Sequence, residues 1–78
     1  MTSIRYGLPR DERVTLKIFN ILGEVVANLL NDEPESAGYH VAIWDGRDQQ
    51  GRQVASGVYV YQILVGDLRE TRKMALVR

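Results

Sequence analysis

The last third of the chain reads GVYVYQILV (residues 57–65), GD (66 and 67) and LRETRKMALV (68–77). Two runs rich in β-branched and aromatic residues flank a dipeptide suited to a two-residue turn, which is the pattern of an antiparallel hairpin. With a tight turn, residues whose numbers sum to 133 face each other: Val65 with Leu68, Tyr61 with Arg72, Tyr59 with Met74. Tyr59, Tyr61, Ile63, Met74 and Leu76 then share one face, while Val58, Val60, Gln62, Thr71 and Lys73 share the other. The tyrosine face is the one expected to turn inward.

The rest of the chain extends this pattern upstream. Residues 13–19 place Val14, Leu16 and Ile18 on one side and Thr15 and Lys17 on the other, the period of a half-buried strand. Residues 3–8 alternate in the same way through Ile4, Tyr6 and Leu8, and Pro9 closes them. Residues 20–23 form a turn in which Gly23 is best able to take a positive φ. Residues 24–32 match both a short amphipathic helix and a strand. A nine-residue helix is marginal alone, so a strand joining the neighbouring sheet is expected. The polar residues 31–37, with Pro34, read as a loop, 39–44 as a strand and 45–53 as a broad turn. About six or seven strands from 78 residues are too few for a large barrel, so the expected fold is an all-β, antiparallel two-sheet sandwich forming one domain over 1–78.

Composition narrows the function. Apolar residues make up 45% and charged residues 26% of the chain, values of a folded domain rather than a disordered tail. Ten basic residues balance ten acidic ones, which removes the general electrostatic grip that nucleic acid or anionic lipid would need. The absence of cysteine removes disulfides, thiolate metal sites and cysteine nucleophiles together. No apolar run approaches the roughly 18 to 20 residues of a helical membrane span, and the opening MTSIRYG has no signal-like apolar region, so any targeting signal is expected on a larger parent protein.

Residues with chemical potential are few. His40 is the single histidine, and no serine stands in a nucleophile context, so it is expected to pack or hydrogen-bond on its strand and no enzymatic activity is expected. Asp45 and Asp48, with Asp32 and Glu33 elsewhere, could in principle offer oxygens to calcium. Asp-Gly and Asp-Gln-Gln-Gly are also what turns use, because Asp accepts from backbone amides two residues on, and the turn role is the expected one. Gly46, Gly51 and Gly57 do not open a helix, so nucleotide binding is dropped and no cofactor is expected. Trp44 ends a strand and reads as a core or corner anchor.

Taken in order, SIRYGLP (3–9), VTLKIFNILGEVV (14–26), AGYH (37–40), WDGR (44–47), Gly51, ASGVYVY (55–61) and TRKM (71–74) carry a resemblance. The chain resembles the C-terminal sorting domain of proteins exported by the bacterial type IX secretion system, a module closely related to the immunoglobulin-like domain of the flagellar hook-capping protein. The resemblance implies an immunoglobulin-like sandwich at the C-terminus of a larger secreted or cell-surface protein. It also implies recognition by secretion machinery at the outer membrane, with Arg72, Lys73 and Arg78 as candidate contacts and an upstream cargo domain as the other partner. The hook-cap relative implies instead a structural assembly module. A third possibility, a carbohydrate-binding sandwich, needs aromatics exposed in a row.

On residues 39–44 alternation puts Ala42 and Trp44 on one side and Tyr39, Val41 and Ile43 on the other, yet both sides are apolar. A solvated antiparallel strand is polar outward. A cover is therefore expected over the second side, either the loop 31–37 or a second molecule in a weak homodimer.

Overall fold

The computed structural model of the chain describes residues 1–77. Six strands follow in order: β1 (Thr2–Leu8), β2 (Glu12–Phe19), β3 (Val25–Glu35), β4 (Gly38–Trp44), β5 (Gly57–Val65) and β6 (Leu68–Leu76). They form an antiparallel sheet of two strands, β1-β4, and one of four, β3-β2-β5-β6. The all-β sandwich expected from the sequence is the fold observed.

The β5–β6 hairpin has the expected register, with Val65 opposite Leu68, Tyr61 opposite Arg72 and Tyr59 opposite Met74. The β2–β3 turn is built by Asn20, whose Oδ1 accepts from the amides of Leu22 and Glu24, both at 3.0 Å, while Gly23 takes φ 82°. Side-chain capture of nearby amides is what makes Asn a turn residue.

One expectation needs correction. Residues 31–37 are not a loop: β3 runs on to Glu35, with Pro34 inside the strand opposite Arg13. Proline cannot donate to a ladder, but β3 is an edge strand, where a missing N–H is tolerated. The strand continues past register shifts in which Asp32 adopts φ 53°. That bend is held from β2, since the Asp32 amide donates to Thr15 Oγ1 at 3.0 Å and Arg13 donates to the Asp32 carbonyl at 2.8 Å.

Alternate residues of both sheets make the core. Ile4, Leu8 and Trp44 from the small sheet meet Val14, Leu16, Ile18, Tyr59, Ile63 and Leu76 from the large one. Trp44 is fully buried, packs edge-on against Tyr59 with centroids 5.0 Å apart, and donates its indole N–H to the Arg47 carbonyl at 3.0 Å. A buried indole with its one donor satisfied anchors a corner without a polar penalty. The Tyr59 hydroxyl likewise donates to the Ala55 carbonyl at 2.6 Å.

Candidate interaction surfaces

One group of titratable side chains links the two sheets. Tyr6 and His40 are cross-strand partners on β1 and β4, and their rings stack with centroids 5.3 Å apart. The Tyr6 hydroxyl donates to Glu35 Oε1 at 2.6 Å. His40 Nδ1 lies 3.7 Å from the same oxygen, and Nε2–H donates to the Ser36 carbonyl at 2.7 Å. His40 thus packs and hydrogen-bonds, as its sequence position suggests, and the three groups join β1, β3 and β4.

Burial, reinforced by the hydrogen bond to Glu35 and its charge, pushes the Tyr6 phenol well above its ordinary value of 10.0. The folded chain holds this proton more tightly than the unfolded chain. The resulting stabilisation is complete below pH 10 and is lost as pH rises beyond it. A tyrosinate absorbance titration should contain a component above the ordinary phenol range, and Tyr6→Phe should remove it. An alkaline titration indifferent to Tyr6→Phe would contradict the assignment.

Three of the four carboxylates considered for calcium are committed elsewhere. Asp48 Oδ1 accepts from the amides of Gln50 and Arg52, both at 3.0 Å, and Oδ2 accepts from Arg52 Nε at 3.1 Å. The Arg52 amide, ahead of the other contacts, holds the Asp48 carboxyl below the usual range. Asp45 Oδ1 accepts from the Arg47 amide at 3.1 Å, and Asp32 pairs with Arg13 at 3.1 Å. Glu33 is exposed on β3 opposite Val14. Asp45 and Asp48 therefore shape the 45–53 turn, and among the described residues no group of three His, Cys, Asp or Glu is placed to hold a metal ion.

Of the candidate machinery contacts, Arg72 and Lys73 do not form one patch. Arg72 shares the face of β6 that carries Tyr61 opposite it, and its guanidinium pairs with Glu70. Lys73 is on the other face, opposite Val60. Arg78 lies outside the described residues. Aromatics are not exposed in a row either. Trp44 and Tyr59 are buried and Tyr6 and Tyr61 half-buried, so a sugar-stacking platform is not assembled among the described residues.

The surface that stands out is the outer face of β4. Tyr39 is 96% exposed, Val41 59% and Ile43 56%. The expected cover by residues 31–37 is not there, because those residues continue β3 instead. How the face is levelled depends on a cross-strand pairing that no local pattern encodes. Gly7 sits opposite Tyr39, and a Cβ at Gly7 would lie 3.1 Å from the tyrosine ring, so glycine lets the ring lie close against β1.

Comparison with known proteins gives a consistent outcome. A family model described as the FlgD Ig-like domain matches residues 2–66. A crystal structure of FlgD from P. aeruginosa superposes with a TM-score of 0.73 at 23% identity, covering 94% of this chain and 57% of that one. The chain thus spans little more than half of that structure, and at this identity the likeness is one of fold. No curated protein matches the chain. Of the two relatives implied by the sequence, the one matched is the hook-capping protein's domain, not the type IX sorting domain.

Proposed function

Because the chain belongs to the family of FlgD Ig-like domains, we propose that it is a non-catalytic structural module that helps build a protein assembly outside the cytoplasm, as the family's link to the flagellar hook implies. The family match over residues 2–66 carries this proposal. The uncovered face of Tyr39, Val41 and Ile43 supports it, since contiguous exposed apolar surface is characteristic of protein interaction sites. The partners are protein surfaces rather than small molecules.

Sorting by type IX machinery is the second reading, favoured by one observation: β6 is an open edge strand presenting Arg72 and Lys73 to solvent. The two roles separate in one experiment. The domain is fused behind a cargo with a signal peptide in a bacterium that has type IX machinery. An assembly module should leave the cargo in the periplasm. Export that weakens when Arg72 and Lys73 are both replaced by Gln, at nearly unchanged melting temperature, would overturn the assembly role in favour of sorting.

A further inference from the structure

The small sheet is two strands narrower than the sheet it faces. At about 4.8 Å per strand, two strands span about 10 Å and four span about 19 Å, so part of the inner face of the large sheet is left open. The opening is a groove of about 460 Å³ between β1 and the β5–β6 hairpin. Its lining has a telling pattern. The large sheet contributes alternate residues, Ile63 and Val65 from β5 and Leu68, Glu70 and Arg72 from β6, which is how a sheet face lines a space. The small sheet contributes the unbroken run of residues 5–9, which is how a strand edge lines it. That edge of β1 has no strand partner among the described residues.

Among the described residues the two sheets have four edge strands; β4 has neither proline nor Asp, Glu, Lys or Arg but lines no part of the groove, and the other three differ in protection. β3 carries Pro34, a bend at Asp32 and several acidic residues, and β6 carries Arg69, Glu70, Arg72 and Lys73. Proline, bends and edge charges are the devices that prevent strand addition. β1 has no proline and a single charge, Arg5. Leu68, at 69% exposure, adds unburied apolar surface at the groove mouth.

We propose that this groove accepts one extended segment of a partner protein, which pairs with β1 as a third strand of the small sheet. The inward side chains of the segment are apolar and cover Ile63, Val65 and Leu68. An outward side chain beside Arg5 is acidic, because Arg5 has no ion-pair partner among the described residues while Arg72 is already paired with Glu70. A second copy of the whole domain does not fit, since a strand seated here lies above β6 and its own large sheet would collide with β6. The proposal rests on the assembly role for the partner being a protein. The groove itself can be tested apart from that role.

The probe is a blocked heptapeptide, Val-Thr-Val-Glu-Val-Thr-Val, with alternate amides methylated so that only one edge can pair and the peptide cannot self-associate. Titrated into the 78-residue chain, it should shift the amide resonances of residues 5–8 and of Val65 and Leu68, and slow hydrogen exchange along β1. The same peptide with Lys in place of Glu should bind about two- to fivefold more weakly, and Arg5→Glu should reverse that order. Leu68→Asp, at an exposed position, should abolish the shifts while core resonances stay in place. No shifts on residues 5–8 at millimolar peptide, shifts confined to β3, β4 or β6, or unchanged binding to Leu68→Asp would each overturn the proposal. Any of these would leave the assembly role standing, because hook formation is a separate readout.

Discussion

Trp44→Ala should destabilise the domain by about 3–5 kcal/mol, the usual cost of emptying a large buried aromatic site. A chain of 78 residues has about 4–12 kcal/mol in all, so the substitution should remove between about a quarter of the stability and all of it. The size of the effect follows from position. Trp44 ends β4, is fully buried, meets Tyr59 edge-on and ties the 45–53 turn through the Arg47 carbonyl. Trp44→Phe keeps an aromatic ring and loses the indole N–H, so it should cost distinctly less. Urea unfolding followed by far-ultraviolet circular dichroism is the suitable probe, because the variants remove the single tryptophan. A loss below about 1 kcal/mol for Trp44→Ala would contradict the placement of this ring at the centre of the inter-sheet core.

Leu16→Ala should cost about 2–5 kcal/mol. Leu16 is fully buried on β2, a central strand with β3 and β5 as its partners, so the vacated volume is walled by ladders that cannot readily close in. Val25→Ala, on the exposed end of β3 at 43% exposure, is the matched control and should change stability by less than about 0.5 kcal/mol. Comparable losses for the two variants would mean that the buried face of the large sheet is wrongly assigned.

These residues also mark what can be read without coordinates. The β5–β6 hairpin was legible because its information is local: the Gly66-Asp67 turn and a period of two fix the register together. Leu16 and Trp44 were legible for the same kind of reason, one from alternation and the other from its place before a turn. The end of β3 was not. Pro34 and the acidic run read as a loop, and they become a strand only because β3 lies at an edge, a property of sheet order rather than of the segment. The candidate contacts fared similarly. Arg72 and Lys73 are adjacent in sequence but on opposite faces of β6, which the period of two already implied. The level outer face made by Tyr39 over Gly7 and the groove beside β1 depend on which strands meet, and no local pattern encodes that. The motifs shared by the sorting and hook-cap domains could not separate the two relatives, whereas the family match over residues 2–66 does.

The assembly role is tested most directly by hook formation in a flagellated bacterium whose FlgD carries this chain in place of its own Ig-like domain. Hooks are counted by electron microscopy of isolated basal bodies and compared with cells whose FlgD lacks the domain altogether. An assembly module should restore hooks above the level of the deletion. Hookless cells that hold the chimera at the normal level of FlgD would contradict it.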